Sequence, residues 1–270
     1  MKKINITKEY ALYLRKKRIN KLLIISAQLS ILVLIFGLWE LFAHLNIIDT
    51  FIMSSPSRII RTIGSLYSSG ELFYHIFTTL YEATIGFLIA TIGGTLIAIL
   101  LWSNDTLRKI LDPYIVVLNS LPKIALGPII IIWVGVGTSS IVTMDILIMI
   151  IISIISMLNA FRQIDESKVM LLKSMNANKF QILFKLILPG SLPEFISLLK
   201  INVGLTWVGT IMGEYLVSKA GLGYLIIYGS QIFNLDLVMA STIILCVLAA
   251  IMYFVVAFIE KKVNKKRNSM

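Results

Sequence analysis

Apolar residues gather into six long runs along this chain, at about residues 22–43, 76–102, 113–136, 141–159, 190–213 and 237–259. Each run is 19 to 27 residues long. At a rise of about 1.5 Å per residue, that is enough to cross a hydrocarbon core roughly 30 Å thick. The pattern predicts an all-α integral membrane protein with six transmembrane helices. The connectors between the runs carry helix punctuation. Asp112-Pro113 reads as an N-cap followed by Pro at the first position of the third span, and Gly135-Val136-Gly137-Thr138 reads as a tight reversal.

Composition removes the soluble alternatives. Of 270 residues, 57% are hydrophobic and 14% charged, against roughly 45–50% and 25% in globular domains. A mean hydropathy of +0.88 leaves no room for a large water-soluble domain. The net charge of +11 is not a nucleic-acid footprint, because the 25 Lys and Arg sit mostly in the gaps between apolar runs. Residues 1–21 hold eight of them, 103–112 two, 160–189 five and 260–270 five, whereas the alternate connectors hold only Arg58, Arg61 and Lys219. This asymmetry predicts that both termini and the loop 160–189 are cytoplasmic. The chain then divides into a basic cytoplasmic segment 1–21, a membrane domain 22–259 and a basic cytoplasmic tail 260–270. The first run is too long for a signal-peptide core and no small-residue cleavage site follows it. A single cysteine, Cys246, excludes an internal disulfide.

Several features go beyond a plain bundle. Pro122 and Pro128 interrupt the third span, where each removes a backbone hydrogen bond. Gly86, Ala90, Gly94 and Ala98 form a smooth face on the second, and Gly209 and Gly213 a shorter one on the fifth. Such faces let helices approach closely, within one chain or between two. Catalytic constellations are absent: there is no Walker A loop, GxSxG or HExxH. His44 and His75 have no Cys/His cluster around them from which to build a metal site.

The segment 160–189 is too long for a hairpin turn and too apolar for a solvated loop. Asp165 and Glu166 are placed to cap a short helix whose Val169, Met170, Leu172 and Met175 gather towards one side. Asn176 interrupts it, and Asn178 caps a second helix running to Leu188, with Pro189 and Pro193 at the next boundary. A helix–turn–helix showing Met and Leu suits a partner's groove. An amphipathic helix lying on the lipid surface is the alternative from physics alone.

Here the chain resembles a family. The loop is similar to the "EAA" motif of permease subunits of binding-protein-dependent ABC importers. The triplet falls on Met170-Leu171-Leu172, the glycine on Asn176 and the ending on Leu186-Ile187-Leu188-Pro189. The nitrate/sulfonate/taurine-type branch is resembled by Ser55-Pro56-Ser57, Leu80-Tyr81-Glu82 leading to Gly86-Phe87, and Leu111-Asp112-Pro113. The runs 121–128 (LPKIALGP), 133–137 (WVGVG) and 221–225 (GLGYL) extend it, so that it covers about residues 50–260 in order. The chain departs from the motif at Met170, where the family has Glu, at Leu171, where it has Ala, and at Asn176, where it has Gly. Asn is the non-glycine residue most at ease in left-handed backbone geometry, so the turn should survive.

The resemblance implies a type I ABC importer permease fold in a prokaryotic cell membrane. Its partners would be a separate ATP-binding ABC ATPase subunit, an extracellular solute-binding protein and a second permease copy. No cofactor belongs to the chain itself; ATP and magnesium would be held by the ATPase. Met170, Leu171, Leu172, Met175 and Asn176 would meet the ATPase, and Gly221 and Gly223 would face the binding-protein side. Ionisable groups inside the membrane are costly and mark candidate paths. Glu82, Asp145 and Glu214 stand out, with Lys123 a candidate partner or a snorkelling side chain, whereas Glu40 and Glu194 lie near span ends. Three carboxylates against one lysine favour a neutral or cationic solute. The substrate is read as either a thiamine-precursor-like heteroaromatic or a sulfonate-, nitrate- or taurine-type solute. A secondary transporter or channel working without an ATPase is the alternative, with Glu82 or Glu214 as its ion site.

Overall fold

The structure, a computed structural model, describes residues 8–267. The outermost parts of the two basic segments, 1–7 and 268–270, lie outside the described residues. In chain order the helices are α1 (Lys8–His44), α2 (Thr50–Met53), α3 (Pro56–Ser68), α4 (Glu71–Ser103) and α5 (Asp105–Ser120). A 3-10 turn (Lys123–Leu126) leads into α6 (Gly127–Val134), followed by α7 (Thr138–Arg162), α8 (Glu166–Ser174) and α9 (Lys179–Ile182). A π-helical turn (Leu183–Ile187) then joins α10 (Leu188–Gly190), α11 (Leu192–Val217), α12 (Leu222–Gln231) and α13 (Leu235–Arg267). No strand occurs among the described residues.

Among the described residues five helices are long and apolar enough to cross a membrane, and the count reaches six when the bent pair of α5 and the segment Lys123–Val134 is taken as one span. The third span is where expectation and structure part. Asn104, whose side chain accepts from the Leu107 N–H at 3.1 Å, starts α5, so Pro113 lies inside the helix rather than at its first position. The helix ends at Ser120, and the chain turns by 87° across Leu121-Pro122. Pro128 sits in the first turn of α6, where its missing N–H costs nothing. The prolines break one apolar run into two helices instead of kinking a continuous one. At the ends of the chain, α1 and α13 carry on through the basic stretches that flank the first and last spans.

Two compact units form, Met1–Thr62 and Ile63–Met270. In the first, α1 exposes Leu and Ile on every face, the signature of a helix facing hydrocarbon. Glu40 near its end accepts the Ser57 N–H at 2.9 Å, satisfying one of the orphan donors that open α3.

In the second unit α4, α7 and α11 form the core. Gly86 and Gly94 on α4 lie against Asp145 and Ser153 of α7, and Gly209 and Gly213 on α11 lie against Asp145 and Ile141. Both smooth faces are used inside the chain. One apolar cluster gathers Phe87, Met149, Trp207, Leu222 and Leu245, and another gathers Leu101, Phe161, Ile182, Ile187 and Leu198. A polar seam also joins the three helices. The Asn202 side-chain amide donates to Thr91 at 2.8 Å and to Ser153 at 2.9 Å. Such bonds between spans contribute about 0.6 kcal/mol each on average. Lys200, an ionisable residue within the fifth span, is paired with Glu260 of α13 at 2.6 Å.

Candidate functional site

The three intramembrane carboxylates come together where α4 and α7 begin and α11 ends. Glu82, Asp145 and Glu214 are all 1% exposed or less. Each has a specific anchor. The Thr138 hydroxyl, on the first residue of α7, donates to Glu82 Oε1 at 2.7 Å. Thr210 donates to Asp145 Oδ2 at 2.7 Å. Glu214 Oε2 accepts the backbone N–H groups of Gly223 and, at 3.3 Å, of Tyr224. The N-cap position of α12 is Gly221, which has no side chain to act as a cap, so Glu214 supplies the missing acceptor from another helix. Glu82 Oε2, Asp145 Oδ1 and Glu214 Oε1 have no hydrogen-bond partner.

The Gly221-Leu222-Gly223 turn is held from a second side. The Gly221 N–H donates to His75 Nδ1 at 3.0 Å and the Leu222 N–H to Thr79 Oγ1 at 2.7 Å, both on α4. Gly221 takes a left-handed φ of +111°, and a Cβ there would strike the Glu214 carboxyl. The two glycines are therefore buried supports of the turn. Lys123 stands apart from the acids: its ammonium donates to the Asn119 carbonyl at 2.9 Å, and no ion pair joins it to a carboxylate among the described residues.

Beside the carboxylates opens a cleft of about 810 Å³. Tyr74, Phe77 and Tyr81 of α4 line it, with Glu82, Thr138 and Lys219. Of the three acids only Glu82 reaches this cleft. The aromatic spacing of three and four residues was readable as a helical stripe, whereas its convergence with Thr138 and Lys219 needed the fold.

At the opposite end, the loop after α7 is a braced helix–turn–helix. The Asp165 side chain accepts from the Ser167 N–H at 2.9 Å, and this bond holds its carboxyl below the usual carboxylate range. Asn176 adopts φ 58° between the helices. Asn178 and Gln181 form a reciprocal capping box on α9. The apolar residues of α8 do not share one side. Val169 and Leu172 turn inwards onto the cluster holding Phe161 and Ile182, whereas Met170, Leu171 and Met175 face out. Met170 is 66% and Met175 71% exposed. Phe180 and Phe184 are exposed as well, and sequence reasoning passed over them. Their spacing of four, opposite buried Ile182 and Leu183, was the available signal.

The model of the binding-protein-dependent transport system inner membrane component matches residues 86–265. The chain belongs to this family. It is an ABC importer permease subunit and a multi-pass component of the inner membrane. This permease is 28% identical over 235 residues to an aliphatic sulfonates transport permease protein of Bacillus subtilis, covering 87% of this chain and 85% of that one. It is 30% identical over 188 residues to the formylaminopyrimidine transport permease protein of Halalkalibacterium halodurans, covering 69% of this chain and 74% of that one. The fold matches, with TM-score 0.66 and 14% identity, a chain from the crystal structure of a bacterial alginate ABC transporter in complex with an alginate pentasaccharide-bound periplasmic protein. That match covers 92% of the permease and 98% of the other chain, and identifies the type I importer permease fold.

Proposed function

We propose that this permease lines the path of an ATP-driven importer, seats its 160–189 loop in a separate ATPase subunit and receives solute from an extracellular binding protein. A second copy completes the path, both termini lie in the cytoplasm, and ATP and magnesium belong to the ATPase. The observation that carries this reading is the pairing of an outward Met170, Leu171 and Met175 with an inward Val169 and Leu172. Outward thioethers fit a partner's groove. The inward pair packs in the same cluster as Leu101, Phe161 and Leu198, near the ends of α4 and α7 and the start of α11, so force on the loop reaches three core helices. Asn176 serves the contact by holding the turn.

Co-purification tests it. A Walker-motif ATPase is expected to extract with the permease in roughly equal amount and to be lost from Met170→Asp/Met175→Asp. An intact transporter that needs no ATPase would overturn the reading.

For the solute, we propose a small nitrogen heteroaromatic. Tyr74, Phe77 and Tyr81 offer ring faces at the cleft, and the Glu82 carboxyl and the Lys219 ammonium offer polar partners, which suits a flat polar ring better than an alkanesulfonate. A relative named for formylaminopyrimidine transport supports this choice, and one named for aliphatic sulfonates opposes it. Aminopyrimidines are expected to compete for uptake while alkanesulfonates do not; the reverse pattern would reassign the substrate.

A further inference from the structure

A second cleft, of about 740 Å³, lies at the loop end of the molecule. Five helices contribute to it: Trp102 near the end of α4, Arg108 of α5, Arg162 closing α7, Lys173 of α8 and Lys179 opening α9. Its acids are Asp105 and Glu166. Asp105 is engaged by Arg108 and also by Lys109 at 3.0 Å. Lys179 uses one of its protons on the Ser103 carbonyl at 3.1 Å. Arg162 and Lys173 have no hydrogen-bond or ion-pair partner among the described residues. With Arg108 and Asp105 neutralising one another, Arg162, Lys173 and Lys179 face Glu166 alone, a surplus of two positive charges.

Converging unpaired cations repel one another unless an anion joins them, and a cleft concentrates their field. The guanidinium of Arg162 adds a planar fork suited to phosphate oxygens. The level of the cleft narrows the ligand further. Two apolar spans end here, at Ser103 and Arg162, with Trp102 at the rim. That is the headgroup level of a bilayer, where indole rings gather and basic pockets between spans take phosphate headgroups. We propose that this cleft binds a dianionic, phosphate-bearing group, supplied by a membrane lipid with two phosphates rather than by soluble phosphate. The orientation proposed above serves only to place it in the inner leaflet. A bound headgroup would tie the ends of α4 and α7 to α8, the helix that carries Met170.

The test uses the full chain with whatever subunits extract with it in mild detergent. Retention of cardiolipin, phosphatidylglycerol and phosphatidylcholine is measured by native mass spectrometry, and inorganic phosphate is titrated by thermal shift. Cardiolipin is expected to bind at least about tenfold tighter than phosphatidylcholine, and Arg162→Gln/Lys173→Gln to remove about tenfold of that affinity. Lys168→Gln/Lys185→Gln takes away the same charge outside the cleft and should leave retention within about twofold. Phosphate binding that is lost in the cleft variant, without cardiolipin retention, would overturn the lipid source and reassign the site to a soluble anion. No retention of either, or equal loss in both double variants, would overturn the site. If the double variant cannot be extracted, Lys173→Gln alone, on the exposed side of α8, carries the comparison. Retention is read without transport or ATP hydrolysis, so its failure is separate from failure of the coupling proposal.

Discussion

Of the three buried acids in this permease, two accept from threonine hydroxyls and Glu214 sits where backbone N–H groups would otherwise lack an acceptor. Glu214 takes the N–H groups that open α12, which Gly221 cannot cap. Glu214→Ala should therefore lower stability by about 1–3 kcal/mol, and Glu214→Gln, which keeps a carbonyl acceptor, by less. Thermal unfolding in detergent measures both. Asp145 needs room, and Gly86 and Gly209 provide it from the two flanking helices. Two glycines of α11 should consequently respond with opposite signs. In Gly209→Ala the new methyl collides with Asp145, at a cost of about 1–3 kcal/mol. In Gly204→Ala the methyl meets nothing within 4 Å, so the change should be neutral or stabilising by up to about 1 kcal/mol. Sequence reading found the small-residue faces and the acids separately. It could not find that one accommodates the other, because residues 86, 145 and 209 meet only when three helices pack.

Within single elements, local chemistry was legible in proportion to how local it is. The Asp165 and Asn178 caps and the Asn176 turn follow from neighbouring residues and stand where they were expected. Which side of α8 faces outward did not follow, because a helix apolar on two faces carries no periodic signal for choosing between them. Asn176→Gly should keep or slightly raise the protection of α8 against hydrogen exchange, whereas Asn176→Val, forced to the same φ, should lower stability by about 1–2 kcal/mol. The Asp165 cap predicts a pH response of definite sign. Its carboxyl titrates lower in the folded loop than in an open chain. The cap's contribution is thus complete above the unfolded value of about 3.9 and is lost as pH falls through the folded value. The protection factor at Ser167, which is corrected for the pH dependence of intrinsic exchange, should fall below about pH 4, and Asp165→Ala should remove that dependence.

For the molecule as a whole, orientation is open to direct measurement. After Cys246→Ser removes the native thiol, Lys219→Cys at the aromatic cleft should react with a membrane-impermeant reagent added to intact cells. Ser174→Cys on α8 should react only once the membrane is opened. The opposite pattern would invert the proposed topology. The number of spans and the basic bias of alternate connectors were determined by the amino-acid sequence alone, since hydrocarbon thickness and loop charge act on each segment without reference to any other. The ordered motifs that resemble the permease family were likewise present in one dimension. Only tertiary structure decided that Pro122 breaks the third span through 87°, and that Glu82 faces the cleft whereas Glu214 holds a turn and Asp145 is sealed between helices. The pairing of Lys200 with Glu260 also belongs to that level. Apart from the break at Pro122, each of these depends on separate helices being brought within hydrogen-bonding or packing distance, and no pattern along a single segment carries that information.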